Sequence, residues 1–149
     1  MNYPPRGTKL TEVSNCRFTS RLHTVPAGEQ HKLTRPFSVS FRFKNVRRES
    51  AAWGDQHLTV PAGFIMDFAS VPGILKPAFP LKKMQRASVV HDWLFEAWKD
   101  EKRGPLKEDW RYANNLFHAL LLISGVSRKT ADLAYLGVET DTAWEFYRT

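Results

Sequence analysis

The stretch Met84–Trp98, MQRASVVHDWLFEAW, carries the pattern from which the rest of the fold can be reasoned. Its apolar residues recur at steps of three and four, which predicts an amphipathic helix from about Leu81 to Lys99. His91 lies on the apolar stripe of this helix and should point into the core. Asp92 is rotated by about 100° around the helix axis, which places it at the edge of the buried face. A buried histidine beside a half-buried carboxylate costs free energy unless both find polar partners.

The chain that precedes this helix has a period of two, which predicts antiparallel strands over about residues 9–68. Between residues 37 and 44, phenylalanine and valine alternate with serine, arginine and lysine, as in a strand with one buried face. The polar stretch Arg47–Gln56 indicates a loop or a hairpin tip. Two similar segments, Thr24–Glu29 and Thr59–Phe64, each place a glycine two residues after a proline. These turn signals predict two hairpins in one antiparallel sheet.

The chain that follows the first helix predicts two more helices. A Gly-Pro pair at residues 104 and 105 opens the second helix, which carries Glu108 and Asp109 in its first turn. Gly125 should end it, and Ser127 can cap a third helix. Proline and glycine punctuate residues 70–81, so that segment should be irregular. Strands first and helices after give an α+β class, with a helical hairpin followed by a third, C-terminal helix.

The short connection between the first two helices predicts which residues meet across them. His91 lies about a dozen residues before the centre of the loop, and Asn114 lies about eleven residues after it. At about 1.5 Å per residue, the two side chains should lie at nearly the same height in an antiparallel pair. Asn114 is also on the apolar stripe of its own helix. We therefore expect His91 and Asn114 to face each other.

Length and composition indicate one globular domain over residues 1–149, with a β-rich basic part at 1–68 and a helical part at 81–149. The single cysteine, Cys16, excludes an intrachain disulfide and favours a reducing compartment such as a cytoplasm. The chain begins without the apolar segment of a signal peptide and has no apolar run of membrane-spanning length.

The net charge of +7 belongs to the N-terminal part. Residues 1–48 contain ten lysines and arginines but two acidic residues, whereas the remainder is close to neutral. This asymmetry indicates either a solvated face of the sheet or a surface for nucleic acid or another anionic partner. The candidate anion-binding residues are Arg42, Lys44, Arg47 and Arg48.

Three motifs in order resemble a known family. The run Val60–Phe64, then Asp67–Pro72 (DFASVP), then His91–Phe95 (HDWLF) is similar to the family numbered 1353 among the domains of unknown function, which is common in tailed phages and prophages. That family usually has an alanine-aspartate pair before a Leu-Phe on the next helix. Here Asn114 follows Ala113, so an asparagine replaces the expected aspartate. The resemblance implies phage origin and brings no settled activity.

A weaker resemblance links the His-Asp helix to the phospholipase A2 enzymes. It implies that His91 would be the general base, Asp92 a calcium ligand and Asn114 the residue that orients the imidazole. An asparagine can accept a hydrogen bond from the ring, but it cannot stabilise an imidazolium by charge. The glycine-rich calcium loop of those enzymes is also missing.

The same residues allow a structural interpretation. Asp67, Ser70, His91 and Asp92 can form a buried polar cluster that joins the β-part to the helices, or Asp67 and Asp92 can hold a metal ion. We expect the structural role and a phage virion protein of the tail, baseplate or head–tail junction, made in the host cytoplasm and assembled with other phage proteins. The alternatives are a calcium-dependent hydrolase and an anion-binding protein. In the structural case no cofactor is expected.

Overall fold

The computed structural model describes residues 10–45, 53–66, 79–99 and 106–148. In these ranges six strands come first and four helices follow, so the α+β class is confirmed. The strands are β1 (Leu10–Phe18), β2 (Thr24–Ala27), β3 (Gln30–Leu33), β4 (Phe37–Asn45), β5 (Trp53–Val60) and β6 (Ile65–Met66). The helices are α1 (Leu81–Lys99), α2 (Lys107–Ile123), α3 (Arg128–Val138) and α4 (Asp141–Arg148).

The larger sheet has the order β1-β4-β5, with both pairings antiparallel. The alternation predicted for β4 is confirmed, since Phe37, Val39 and Phe41 are buried and the residues between them are not. The strand β1 is interrupted where Asn15 adopts a positive φ of 51°, next to a shift in its register with β4. Such a bulge increases the local twist of the strand.

The expectation of one sheet is wrong, because a second antiparallel sheet has the order β2-β3-β6. Both predicted turns exist, and Gly28 and Gly63 each adopt a positive φ, 67° and 93°. The second turn sends the chain towards β3 instead of back along β5. Leu33 donates its backbone N–H to the Phe64 carbonyl at 2.8 Å and accepts from the Gly63 N–H at 2.7 Å. These bonds hold the turn beside Leu33, so that the short strand β6, which follows the turn, pairs with β3.

The loop expected over residues 47–56 is shorter than predicted. The strand β5 already begins at Trp53, and it pairs Asp55 with Arg42 and Gln56 with Phe41 of β4. The polar composition of residues 53–56 suggested a loop. In a strand at the sheet surface, however, polar side chains can face water while the backbone still forms its hydrogen bonds to the neighbouring strand. Residues 46–52 lie outside the described part of the chain.

The helix boundaries agree with the sequence patterns except at the C-terminus. The helix α1 has the predicted bounds, Gly125 follows α2 with a φ of 86°, and the Ser127 hydroxyl accepts from the Thr130 N–H at the start of α3. Two helices replace the single third helix that was expected. The Thr140 hydroxyl donates to the Gly137 carbonyl at 3.2 Å and accepts from the Ala143 N–H at 3.1 Å. Thr140 thereby ends one helix and caps the next.

One cluster of buried side chains joins the larger sheet to the helices. The helix α2 packs on β1 and against both α1 and α3, so it lies at the centre of the molecule. Val39 and Leu58 from the strands and Leu94 and Leu116 from the helices are fully buried in this cluster. Among the described residues, no helix has both the length and the hydropathy needed to span a bilayer.

Candidate functional site

The centre of the candidate site is a hydrogen bond between α1 and α2. His91 is 3% exposed and Asn114 is fully buried, and the His91 Nε2 lies 2.7 Å from the Asn114 Oδ1. The prediction that these side chains face each other across the helical hairpin is confirmed. It follows from the apolar stripes of both helices and from the short connection between them.

A third element fixes the orientation of the Asn114 amide. Its Nδ2 donates to the backbone carbonyl of Val138, at the end of α3, over 3.1 Å. The amide oxygen must then face the imidazole, so it can only accept a hydrogen bond from the ring. The His91 Nε2 therefore carries a proton. The network assigns the tautomer of the neutral ring, with the lone pair on Nδ1.

The other ring nitrogen of His91 faces the neighbouring carboxylate. The Nδ1 atom is buried and has no hydrogen-bond partner among the described residues. Oδ1 of Asp92 lies 3.8 Å from Nδ1, which is too long for a hydrogen bond. The Asp92 side chain is 23% exposed, at the edge of the buried face as predicted. The arrangement leaves Nδ1 as a proton acceptor in a largely dry environment.

Two aromatic rings confine the imidazole. The centroid of Phe95 lies 4.3 Å and that of Phe117 lies 4.7 Å from the centroid of His91. Phe95 is one helical turn after His91, and Phe117 is three residues after Asn114 on the facing helix. Close packing against these two rings restricts the orientation of the imidazole, which is 3% exposed.

The expected polar cluster and the expected metal pair both include residues outside the described part of the chain. Asp67 and Ser70 lie outside the described residues, so the polar cluster and the metal pair of Asp67 and Asp92 stay predictions. Within residues 10–45, 53–66, 79–99 and 106–148, no group of three or more histidine, cysteine, aspartate or glutamate side chains is placed to hold a metal ion. Of the two tentative ligands, Asp92 alone has a described position.

The expected anion-binding residues are only partly described. The Arg42 Nε lies 3.4 Å from Oδ1 of Asp55 on the neighbouring strand, with both side chains exposed. An arginine with a carboxylate beside it has part of its charge compensated. Lys44 is part of β4 but its side chain is outside the described part, as are Arg47 and Arg48. A binding surface built on these four residues stays a prediction.

Sequence spacing missed two histidine pairs that the tertiary structure creates. The Nδ1 of His57 lies 2.7 Å from the Ser40 hydroxyl, because the register of β4 and β5 places these residues opposite each other. His118 on α2 is 2.7 Å from Oδ1 of Asp132 on α3. The alternation of β4 could have indicated that Ser40 faces outwards, but its partner depends on the register between strands.

Among the described residues, three groups have raised pKa values, and burial is the main cause of each. Burial raises the pKa of the Cys16 thiol to about 12. It also raises the pKa of the Tyr112 phenol well above its usual range. For Tyr135, burial and then the nearby Glu139 carboxylate raise the pKa to about 12. These groups are therefore neutral at physiological pH, so they cannot supply an anionic nucleophile or ligand there.

The chain was compared with models of known families. The model of the family described as protein of unknown function, DUF1353, matches residues 43–138. These bounds include His91, Asp92, Asn114 and Val138. Neither a curated protein nor a solved structure matches the chain.

Proposed function

The chain belongs to the DUF1353 family, and from this premise we propose that it is a structural accessory protein of a tailed-phage particle, not an enzyme. Its place would be the tail, the baseplate or the head–tail junction, among other phage proteins in an oligomeric assembly. The motifs that resemble families common in tailed phages and prophages support this assignment. It would be made in the host cytoplasm and carried in the virion.

The observation that carries the proposal is the buried connection between three helices. His91 of α1, Asn114 of α2 and the Val138 carbonyl of α3 form a continuous chain of hydrogen bonds. The Asn114 amide uses both of its ends within the fold, and two phenylalanine rings flank the imidazole. Buried polar groups that satisfy one another add rigidity and a defined geometry. A particle component needs both properties.

An exposed apolar pair on α3 supports the same role. Leu133 is 52% exposed and Leu136 is 63% exposed, and they lie one turn apart on the same outward face. The opposite face carries Ala131 and Ala134, which are buried in the core. Adjacent exposed leucines lose contact with water when a partner covers them, which favours association.

Purified particles provide the test. Virions from host cells that carry the gene would be separated on a density gradient and analysed by mass spectrometry. We expect the chain to sediment with the particles, and Leu133→Glu with Leu136→Glu to release it. Val25→Glu is the matched control, because Val25 is similarly exposed but lies on β2. A chain found only in the free fraction would contradict the structural role.

The second candidate is a calcium-dependent hydrolase, and the tautomer of His91 is the observation that favours it. The ring donates through Nε2 to Asn114 and keeps its lone pair on Nδ1, as a general base requires. Asp92, at 3.8 Å from Nδ1, would be the calcium ligand. In this arrangement Asn114 orients the ring but supplies no charge to stabilise an imidazolium.

A lipid and ester hydrolysis assay, with and without calcium, distinguishes the two candidates. The structural proposal expects no turnover by the wild type or by Asn114→Asp. Under the hydrolase alternative, Asn114→Asp should raise activity, since a carboxylate stabilises the charge that develops on the base. His91→Ala should abolish it, while His57→Ala on the exposed sheet face should not. Calcium-dependent hydrolysis with that pattern would overturn the structural proposal.

A further inference from the structure

A basic cleft lies between the start of α1 and the segment that connects β1 to β2. It has a volume of about 630 Å³. Three of its lining side chains are cationic: Arg21, Lys82 and Arg86. The other described lining residues are neutral, namely Phe18, Thr19, Ser20, Leu22 and Gln85. A concave site with three positive charges, and with no carboxylate among its described lining residues, concentrates anions.

We propose that this cleft binds adjacent phosphate groups, as in a diphosphate or in a run of nucleic-acid backbone. The site is independent of the proposed structural role. Arg42, the one anion-binding candidate whose side chain is described, does not line the cleft.

The charges in the cleft are available for a ligand. Among the described residues, neither Arg21 nor Lys82 has a carboxylate within salt-bridge distance, whereas Arg42 on the larger sheet is paired with Asp55. The first turn of α1 contains no acidic residue. The partial positive charge of the helix N-terminus therefore adds to that of Lys82, the second residue of the helix.

The wall of the cleft is held in place from both sides. Thr19 donates its N–H to the Ser38 carbonyl at 3.0 Å, and the Ser20 hydroxyl accepts from the Ser38 N–H at 2.8 Å. Further along, the Thr34 N–H donates to the His23 carbonyl at 2.9 Å. Arg21 lies between these two anchors, so the backbone that carries it is positioned before a ligand arrives. Such preorganisation lowers the entropic cost of binding.

The third cation is oriented by an aromatic ring. The guanidinium carbon of Arg86 lies 4.2 Å from the centroid of Phe18. Stacking on an aromatic face restrains the planar group and leaves its N–H donors at the edge. Those donors match phosphate oxygens, which arginine can bind through two parallel hydrogen bonds.

The number of charges indicates more than one phosphate. A single phosphate monoester carries a charge of about −1.5 to −2 at neutral pH. Three cations exceed that charge, whereas a terminal diphosphate, which has one further ionised oxygen, comes close to matching it. Along a nucleic-acid backbone each phosphate carries one charge, so about three successive phosphates would match the three cations, and the test includes both sources.

The test measures binding of inorganic pyrophosphate by calorimetry, and of a labelled single-stranded oligonucleotide by fluorescence anisotropy, to the full chain. Arg21→Glu and Lys82→Glu change exposed residues of the cleft. Lys129→Glu makes the same charge change at an exposed position on α3 that does not line the cleft. We expect each cleft variant to weaken binding roughly tenfold to a hundredfold, because each removes a charge-assisted contact. The control should bind nearly as well as the wild type.

The two probes identify the source of the phosphates. Loss of both interactions in the cleft variants supports a site for linked phosphates in general, and loss of the oligonucleotide alone supports a nucleic-acid backbone. Binding of neither probe at low salt would overturn the proposal. An effect of Lys129→Glu equal to that of Lys82→Glu would also overturn it, since binding would then follow net charge alone.

Discussion

Replacing Asn114 by leucine tests whether the buried connection between the helices stabilises the fold. Leucine has the same number and branching of side-chain heavy atoms as asparagine and adopts a helix readily, so the change removes the polar atoms and keeps the branched shape. The substitution leaves the His91 Nε2–H without its acceptor at 2.7 Å and the Val138 carbonyl without its donor at 3.1 Å.

The expected cost can be worked out from the burial of these two groups. A buried donor that loses its acceptor costs about 1–3 kcal/mol. His91 is 3% exposed, so its N–H should incur this cost. The Val138 carbonyl is only partly buried and can turn to water, so it should add at most about 1 kcal/mol. A loss of about 2–3 kcal/mol corresponds to a drop in Tm of roughly 5–10 °C for a chain of this size.

Thermal and chemical unfolding of four variants, Asn114→Leu, His91→Leu, the two combined and a control, would measure this loss. Asn115→Leu is the matched control, because Asn115 is the next residue on α2, is only half-buried, and accepts a hydrogen bond from the Tyr135 hydroxyl at 2.9 Å. The control should lose less than about 1 kcal/mol. The double variant with His91→Leu and Asn114→Leu should be more stable than the sum of the single effects predicts, since it removes both partners together. Equal losses for Asn114→Leu and Asn115→Leu would refute the reasoning.

Three other predictions concern groups outside this connection. The pKa of the Cys16 thiol is raised to about 12, so little thiolate is present at neutral pH. A disulfide reagent should therefore modify Cys16 at least about tenfold more slowly in the folded chain than in the unfolded chain, and equal rates would contradict its burial. The pKa of Tyr135, raised to about 12, should make stability decline as pH rises from about 10 towards about 12, because the unfolded phenol ionises first. NMR titration of ring-labelled tyrosine should show a lower pKa in Glu139→Gln. Ser127→Ala should cost about 1 kcal/mol in urea unfolding, since it removes the cap on the Thr130 N–H, whereas Ser127→Asp should retain most of the stability.

The helices and their central contact could be predicted because their signals are local. Apolar residues at steps of three and four located α1, and Gly125 and Ser127 located the boundary between α2 and α3. To predict the contact between His91 and Asn114, it was then enough to know the rise per residue of a helix and that the connection between α1 and α2 is short. Each of these inferences uses residues that are near in sequence or are related by one simple hairpin.

The remaining features depend on contacts between distant segments. The second sheet exists because β6 pairs with β3, and the two similar turns carry no information about which strand each will meet. The role of Val138 in the site comes from its backbone carbonyl, which every residue has, so no side-chain pattern could indicate it. The basic cleft likewise combines Arg21 with Lys82, which are sixty residues apart in the chain.

The polar connection also explains how the helical part keeps one register. Sliding α1 along α2 by one turn would move His91 by about 5.4 Å and break its bond to Asn114. Both groups would then be buried without partners, whereas leucines at these positions would still pack after the slip. The hydrogen bond to Val138 restricts α3 in the same way, because the Val138 carbonyl can accept from the Asn114 amide only when α3 ends at the height of Asn114. One asparagine therefore sets the relative positions of three helices, and this holds whether the ring of His91 serves as a structural group or as a base.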